Sequence, residues 1–363
     1  MNKSVKKCAI IIGSLPEYAP FLIPYIEKLE YLEVQYDIIC WNRLGHSYTE
    51  TESNIIMYKH RTANEHSLFV RFKELFSFIR FCKKHISKNK YEKLFVYTLS
   101  TGLFLQPYLN KYYKNRYVFD IRDYSPLLRI PFTNNILAKL LKNSYGNVIS
   151  SEGFKNWLPS NYKYIVAHNT NNDELFNQVS FKPIYEPYIV LTVGALRDFE
   201  ANKQVIMSLK NDPRFLLVFA GDGIAYKPLL DFVNTQKINN VRFTGRYLKN
   251  EELDIVKKCD FINVFLPLDK LSSHLMTNRF YLAVNNRKPM IINDGCFQAE
   301  IAHKYNLGII IKDRQNLKSE LLHYIEEFDQ QRFEKGCLDF TSLVVKEQGM
   351  FENFIEKFVK DNL

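Results

Sequence analysis

The sequence predicts an α/β protein made of two similar domains, each with a parallel β-sheet covered by helices. Three observations support this fold class. Short apolar runs alternate with helical segments along nearly the whole chain. The runs are apolar on both faces, which is typical of strands buried in a parallel sheet. A length of 363 residues, 46% of them hydrophobic and 24% charged, is enough for two cores.

The second half shows the repeating unit best: an apolar run, a turn residue and then a helical segment. Several runs end at a glycine or a proline, namely Gly194, Gly221, Gly245 and Pro267. Ligands of such sheets bind where the carboxyl ends of strands meet helix N-termini, and these N-termini favour phosphate. We therefore expect a ligand that carries phosphate. The predicted strands are residues 189–193, 215–220, 241–243, 261–266, 289–293 and 308–311.

The first half follows the same pattern, with helical segments such as residues 21–32 and 67–85 between its strands. Residues 179–187 contain two prolines and no periodicity, which places the linker there and the domains at 1–182 and 188–339. Residues 350–363 have apolar side chains at helical spacing and predict a final helix. The predicted strands of this half are residues 9–12, 36–41, 94–98, 117–121, 147–150 and 164–168.

The net charge of +10 is unevenly distributed. Residues 1–183 contain 25 Lys and Arg against 15 Asp and Glu, whereas residues 184–363 contain 24 of each. A nucleic-acid-binding protein could have such a basic half, but zinc-finger spacing, an RNP-like strand and an Arg-rich arm are all missing. Nucleic acid is therefore not an expected partner. An anionic membrane surface or an anionic acceptor explains a one-sided basic domain equally well.

The helix predicted at residues 67–86 also bears on membrane contact. At about 100° per residue, Val70 and Phe81 fall on the side opposite the apolar stripe, with Lys84 and Lys88. Exposed aromatic side chains among lysines are typical of surfaces that lie on a membrane. The alternative is that Phe81 packs under a neighbouring loop. The apolar stripe itself predicts core positions and consists of Leu68, Phe72, Leu75, Ile79, Cys82 and Ile86.

The cysteines and the N-terminus indicate the compartment. The six cysteines are scattered and form no C-x-x-C pair, which argues against a structural zinc site and a disulfide framework. The apolar run at residues 8–12 is too short for a signal peptide, and no run approaches the length of a membrane span. The sequence predicts a cytoplasmic protein that is soluble or touches a membrane from one side.

Eight phrases along the chain, in their order and spacing, carry a family resemblance. They are IIGSLPEYAP (11–20), IICWNR (38–43), YVFDIRDYSP (117–126), VISSEGF (148–154), LTVGALR (191–197), FAGDG (219–223), VRFTGRY (241–247) and NRFYLAVNNRKPMII (278–292). The chain resembles the GT-B glycosyltransferases of the family-four kind, which build bacterial capsular polysaccharides and exopolysaccharides. The resemblance covers nearly the whole length.

This resemblance implies two Rossmann-like domains that face a central cleft, with residues 340–363 crossing back to the first domain as a helix. It also implies transfer of a sugar from a nucleotide-sugar donor, with retention of the anomeric configuration. The implied acceptor is a polysaccharide precursor or a lipid-linked glycan.

The chemistry requires donors that meet the negative charge of a departing nucleoside diphosphate. Many glycosyltransferases use a metal held by a D-x-D motif, which this sequence lacks, so neither a metal nor another cofactor is expected. Arg197 and Lys203 follow Gly194, where the resemblance implies a phosphate-binding Arg and Lys. The family often has its Arg directly after the glycine, where this chain has Ala195. Both residues could instead be solvated charges at a helix start.

A second phosphate contact is predicted at residues 272–289. Thr277 or Asn278 can cap a short helix, and a helix that begins at Met276–Asn278 above a strand end presents main-chain amides to a diphosphate. The alternative is a capped helix that only connects two strands. For the nucleobase, the resemblance implies main-chain contacts around Phe243, Thr244 and Gly245.

The chain departs from the family at two positions. The resemblance implies a pair of glutamates, E-x(7)-E, of which one faces the donor sugar and the other the ribose. Aligned on Asn278 and Pro289, the pair falls on His274 and Leu282. His274 could bond the sugar or the phosphate, or could be an ordinary polar loop residue. Leu282 cannot accept hydrogen bonds from ribose hydroxyls.

The first domain contributes four candidate residues. Gly13 and Ser14 end the first strand, where the resemblance implies a glycine-rich loop near the reacting centre, although the glycine could serve only a tight turn. Arg122 and Asp123 follow the strand at 117–121, where relatives often have His-Asp. With Asp120, they could equally form a structural ion-pair network, and the sequence identifies no general base.

Taken together, these features predict a glycosyltransferase. The main rival is a non-catalytic subunit of the same fold that scaffolds or activates a partner transferase, because the glutamate pair is missing. A sugar-nucleotide epimerase of the same fold is a third alternative, but the sequence shows no clear acid and base for it.

Overall fold

The computed structural model describes residues 7–43, 45, 54–62, 68–170, 181–182 and 184–361. The chain divides into two compact units, of which the first is Met1–His168 with Lys346–Leu363 and the second is Asn169–Val345. The predicted linker at 179–187 includes residues 179, 180 and 183, which lie outside the described residues. Each unit contains one parallel sheet flanked by helices, so the predicted fold class is confirmed.

The sheet of the first unit has seven strands in the order β3-β2-β1-β4-β5-β6-β7, all pairing in parallel. The central strands β4 and β5 are buried along their whole length, because both faces of their apolar runs are covered. The strands are β1 (Lys7–Ile11), β2 (Gln35–Trp41), β3 (Ile55–Tyr58), β4 (Lys93–Tyr97), β5 (Tyr117–Ile121), β6 (Gly146–Ile149) and β7 (Tyr164–Val166).

Four helices join these strands: α1 (Ile23–Tyr31), α2 (Leu68–Asn89), α3 (Leu99–Tyr112) and α4 (Thr133–Asn143). In α2 the predicted stripe is buried at Leu75, Ile79, Cys82 and Ile86. The interpretation of Phe81 as an exposed aromatic is wrong. The edge strand β3, which the sequence analysis did not predict, places the Tyr58 ring 5.2 Å from that of Phe81, and the His85 ring lies 4.3 Å away on the other side.

The sheet of the second unit has six parallel strands in the order β10-β9-β8-β11-β12-β13. The strands are β8 (Tyr188–Val193), β9 (Phe215–Ala220), β10 (Val241–Gly245), β11 (Phe261–Asn263), β12 (Met290–Asn293) and β13 (Gly308–Ile311). The helices are α5 (Phe199–Leu209), α6 (Tyr226–Thr235), α7 (Glu252–Lys257), α8 (Asn278–Asn285), α9 (Phe297–Tyr305) and α10 (Leu317–Glu326).

The strand order locates the expected ligand position in this unit. From β8 the chain moves outward through β9 to β10 and then returns to β11 on the other side of β8. In open parallel sheets, ligands bind at the carboxyl ends of the strands on either side of such a reversal. The loops after β8 and β11 are therefore the first place to look for a functional site.

One long helix, α11 (Gln330–Lys360), has its two ends in different cores. Phe333, Phe340 and Val344 belong to the apolar core of the second unit, whereas Phe351 and Phe358 belong to that of the first. The buried Lys93 side chain binds the last carbonyl groups of α11, with its Nζ 3.1 Å from the oxygen of Val359 and 2.6 Å from that of Asp361. This cation complements the negative end of the helix dipole.

None of the described helices combines the length and the apolar composition that a membrane-spanning segment needs. All six cysteines are buried, and none of them forms a disulfide bond.

Candidate functional site

The turns after β8 and β9 pack so closely that they require glycine. Gly194 and Gly221 have φ angles of +94° and +131°, and a Cβ atom on Gly221 would stand 2.0 Å from the carbonyl oxygen of Gly194. The Gly194 amide donates to Ala220 over 2.9 Å, and the Gly221 amide to Gly245 over 2.8 Å. The ends of β8, β9 and β10 are thereby joined, and the loop that carries Arg197 has a fixed origin.

The end of β11 is fixed by a buried asparagine. Asn263 is fully buried, and its Nδ2 donates to Thr192 Oγ1 over 2.9 Å and to Asn202 Oδ1 over 3.3 Å. Its Oδ1 accepts the amide of Phe265 at 3.1 Å. Because this side chain captures that amide, the strand ends at Asn263, three residues earlier than predicted. The result is a rigid link between the ends of β8 and β11.

Arg197 is exposed, directly before the start of α5. The neighbouring main chain is anchored, since the Leu196 amide donates to Asp222 over 3.0 Å and its carbonyl accepts from Ala225 at 2.9 Å. Burial raises the pKa of the next residue, Asp198, and the positive charges of Arg279 and Arg197 oppose that rise. The charges of Arg197 and of a second arginine, Arg279, thus act on the same carboxylate.

That second arginine, Arg279, was missed by the sequence analysis. It is the second residue of α8, and its Nη1 donates to the carbonyl oxygen of Asn263 over 3.0 Å. Burial lowers the pKa of Arg279, Asp198 opposes this change, and the nearby Arg197 adds to the lowering. A cation in the first turn of a helix is disfavoured by the helix dipole. An arginine at such a position was therefore an available signal of an anion site.

The start of α8 presents main chain rather than a capping side chain. Thr277 occupies the N-cap position without a capping bond, because its hydroxyl and its amide both donate to Gln298 Oε1, at 2.7 and 2.9 Å. Thr277 is thus at the predicted N-cap position, but its side chain makes no capping bond. Asn278 is exposed at the first helical position, whereas the Met276 side chain is buried in the apolar core. Of these three residues, Asn278 is the one whose side chain reaches solvent freely.

The two positions that depart from the family pattern differ in environment. His274 is half-buried in the turn before α8, where the Leu275 amide donates to Ser272 over 3.2 Å. Leu282 is half-buried and packs against the apolar core of the second unit. The Leu282 side chain thus contributes to packing, and it offers no hydrogen-bond acceptor to a ligand.

Lys203 lies in an aromatic environment. Its Nζ is 5.5 Å from the ring centroids of both Phe199 and Phe232, and 3.7 Å from Glu200 Oε2. These contacts hold the ammonium group between α5 and α6.

The predicted nucleobase segment forms the edge strand β10. Phe243 stacks on Phe219 with ring centroids 5.1 Å apart and meets the Tyr226 ring edge-on at 5.6 Å. Thr244 is exposed, and Gly245 has a φ of +73° after a break in the strand register. The main chain thus departs from regular strand geometry in the predicted nucleobase segment.

In the first unit, the end of β1 faces a cation that the sequence analysis did not name. A Cβ atom on Gly13 would stand 3.0 Å from Arg43 Nη2 and 3.6 Å from Thr101 Oγ1, and Ser14 follows half-buried. The Arg43 guanidinium lies 4.3 Å from the Trp41 ring centroid. Gly13 therefore allows a close approach between this loop, an arginine and the start of α3.

Arg122 is part of a buried network. It is 5% exposed, and its Nη2 donates to Asp120 Oδ2 over 2.6 Å, an oxygen that also accepts from the Tyr25 hydroxyl at 2.6 Å. Burial alone would lower the pKa of Arg122, but the Asp120 charge raises it above its ordinary value. Arg122 is thus a permanently charged group in a structural ion pair, and Asp123 is exposed directly after it.

The described residues contain no group of three or more His, Cys, Asp and Glu side chains placed to hold a metal ion.

No family model and no curated protein sequence matches this chain. Solved structures do. The sucrose-phosphate synthase of Thermosynechococcus elongatus is 12% identical, with a TM-score of 0.70 over 98% of this chain and 100% of that one. HepE of Anabaena, in complex with UDP and glucose, is 10% identical, with a TM-score of 0.67 over 96% and 99%.

A UDP-forming α,α-trehalose-phosphate synthase from Burkholderia xenovorans is also similar, at 10% identity, with a TM-score of 0.65 over 98% of this chain and 99% of that one. Identities this low carry information about the fold. With two parallel-sheet Rossmann-like units and neighbours that match along their whole length, the chain has the GT-B fold.

Proposed function

We propose that this protein is a glycosyltransferase that transfers a sugar from a nucleoside diphosphate sugar to an acceptor hydroxyl group. The observation that carries the proposal is the position of Arg279 at the strand-order reversal of the second unit, where the Asn263 carbonyl oxygen holds it at the start of α8. The exposed Arg197 follows β8 at the same reversal. Two guanidinium groups beside the N-termini of α5 and α8 match the charge and the forked geometry of a diphosphate.

The chemistry assigns a role to each of these groups. The bond between the anomeric carbon and the β-phosphate oxygen breaks, the acceptor oxygen bonds to that carbon, and the hydroxyl proton is released. Negative charge grows on the departing diphosphate, and donors already in place stabilise it. Arg279, held by the Asn263 carbonyl, supplies a preorganised donor, while the exposed Arg197 can close on the ligand. In this proposal the cations replace a metal ion.

The finer features rest on the family resemblance. The eight matched phrases support a transferase of the family-four kind that acts in capsular polysaccharide or exopolysaccharide synthesis, with a lipid-linked or polysaccharide-precursor acceptor and retention of configuration. Solved structures with this fold contain UDP, which makes UDP-sugars the first donors to test.

A second candidate is a non-catalytic subunit that scaffolds or activates a partner transferase. Leu282 favours it, because this half-buried side chain packs against the apolar core where the resemblance implies a ribose-binding glutamate. A chain that no longer binds a donor would still have this fold and this apolar core.

Titration calorimetry with UDP-, GDP- and CMP-sugars separates the two candidates. The transferase is supported if one donor binds, Arg279→Ala abolishes binding and Arg332→Ala, at an exposed arginine of α11, leaves it intact. Turnover with a lipid-linked acceptor should then persist in EDTA. Activity that is lost on chelation and restored by Mg²⁺ or Mn²⁺ would contradict metal-free catalysis. A chain that binds none of the donors is the non-catalytic subunit.

A further inference from the structure

The positive charge of the chain is concentrated in one stretch of the first unit. Residues 68–116 contain 11 Lys and Arg against 2 Asp and Glu, which leaves +9 of the chain's total of +10. These residues form α2, β4 and α3. Glu74 is only 7% exposed, with its Oε1 3.6 Å from His60 Nε2, so it does little to neutralise the surface. Lys93 is the buried cation that holds the end of α11, and the other ten Lys and Arg side chains are exposed or partly exposed.

The outer face of α2 carries several of these charges next to one exposed aromatic ring. Phe76 is 54% exposed. At about 100° per residue, the basic side chains of this face fall within an arc of roughly 140° that includes Phe76. Glu74 and Glu92 lie outside this arc. The basic residues of the face are Lys73, Arg80, Lys83, Lys84 and Lys88.

The face continues into a depression at the ends of α2 and α3, with a volume of about 470 Å³. Tyr112 is 48% exposed at its rim, and the Lys111 ammonium group lies 5.0 Å from that ring. The Tyr108 hydroxyl is 2.9 Å from Ser87 Oγ, and Arg116 lines the same depression. Tyrosines beside cations are typical of side chains that lie at the boundary between lipid and water.

We infer that the outer face of α2, which includes Phe76, docks on an anionic lipid bilayer together with Tyr112 at the end of α3. Lysines and arginines attract anionic headgroups, and an exposed aromatic ring enters the boundary with the acyl chains. From Lys73 to Lys88 the face extends about 22 Å along one side of a helix, so it can lie flat on a bilayer. The interaction is independent of the proposed transferase activity, because it uses none of the residues assigned to the donor site.

Co-sedimentation with vesicles tests the docking without any donor. Vesicles of phosphatidylcholine alone are compared with equal parts of phosphatidylcholine and phosphatidylglycerol, at salt from low concentration to about 0.5 M. The test variant combines Arg80→Gln, Lys84→Gln and Lys88→Gln. The matched control removes three exposed lysines of the second unit by Lys210→Gln, Lys258→Gln and Lys335→Gln, which changes the net charge equally. Circular dichroism checks that both variants are folded.

The wild type and the control variant should both bind the anionic vesicles, and this binding should weaken as the salt concentration rises. The triple variant should bind on the order of a hundredfold more weakly, given about a factor of five per basic residue. Phe76→Ser should weaken binding roughly tenfold, because it removes the aromatic ring that becomes buried in the bilayer on docking. Equal binding to neutral and anionic vesicles, or equal loss in the test and control variants, would overturn the inference. So would unchanged vesicle binding by Phe76→Ser together with tight binding to single-stranded RNA, which would identify a nucleic-acid surface instead.

Discussion

Arg279 donates a hydrogen bond from Nη1 to the main-chain carbonyl oxygen of Asn263, over 3.0 Å. Asn263 is itself bound to Thr192, so one chain of contacts joins the ends of β8 and β11 to the start of α8. The Arg279 guanidinium has five donors, of which this bond uses one. The rest of the group is thereby oriented without being consumed, as preorganised recognition of a diphosphate requires.

We predict that Arg279→Ala and Arg197→Ala each cost about 2–4 kcal/mol of transition-state stabilisation, measured as the loss in kcat/KM with a nucleotide-sugar donor. Because Arg279 is anchored and Arg197 is exposed, the two variants should differ in the melting temperature. Arg279→Ala should lower stability by about 1 kcal/mol through its lost hydrogen bond, and Arg197→Ala should leave it unchanged. Arg332→Ala, at an exposed arginine of α11, is the control. An equal loss of activity in the control would contradict the assignment.

A second prediction concerns the ribose. Leu282 offers only apolar contact, so an active enzyme should accept a 2′-deoxyribose donor with a penalty below the roughly 1–3 kcal/mol that an unpaired buried polar group costs. Competitive binding of ribose and deoxyribose donors measures the difference. Strong discrimination would show that the alignment of α8 with the family is wrong. Leu282→Glu should restore donor binding only if the wild type lacks it, and it should lower stability because Leu282 packs in the core.

A third prediction uses two glycines as a matched pair. Gly221→Ala places a Cβ atom 2.0 Å from the Gly194 carbonyl oxygen at a φ of +131°, so it should destabilise the protein by more than about 2 kcal/mol. Gly349→Ala lies in helix α11 with no atom within 4 Å of the new Cβ atom, and should stabilise by about 0.5–1 kcal/mol. Thermal unfolding of both variants measures the contrast. Similar melting temperatures for the two would contradict the packing of the turns after β8 and β9.

A fourth prediction concerns acid. Hydrogen bonds from Lys28 and Lys360 lower the pKa of Glu356 from 4.5 to about 2. A carboxyl group with a lowered pKa in the folded state contributes stability above its unfolded pKa, and loses it as pH falls through its folded value. The contribution of Glu356 should therefore disappear between about pH 4.5 and pH 2. Glu356→Gln should flatten the melting temperature across that window, and Glu326→Gln, at an exposed glutamate of α10, should not.

Much of the fold could be predicted because buried parallel strands leave a simple pattern. The runs at 117–121, 215–220 and 308–311 coincide with β5, β9 and β13. Strand β3 was missed, since it has four half-buried residues at a sheet edge and neither length nor alternation distinguishes it. Because β3 was not predicted, the contact between Tyr58 and Phe81 could not be expected. Phe76 is an exposed aromatic residue of α2, whereas the predicted Phe81 is not.

The site was harder to predict because it depends on contacts between distant residues. The glycine after β8 and the helix at residue 278 follow from local patterns, and the structure has both. The role of Arg279 depends on the Asn263 carbonyl, and that of Arg43 on its approach to Gly13, neither of which local spacing encodes. The start of α11 was missed for another reason. Gly336 weakens a helix on propensity, but here it lets α11 meet the end of α9, where a Cβ atom would stand 1.6 Å from the Tyr305 carbonyl oxygen.

The contact between Lys93 and the end of α11 has a consequence for the order of assembly. Residues 1–168 do not contain the side chains that complete their own core, since Phe351, Ile355 and Phe358 come from the far end of the chain. As the ribosome makes this protein, the second unit is complete before the first. Until the last helix emerges, Lys93 lacks the carbonyl groups of Val359 and Asp361, and burying its charge without these acceptors is costly. Residues 1–168 are therefore translated before the second unit, but the core of their unit is completed after it.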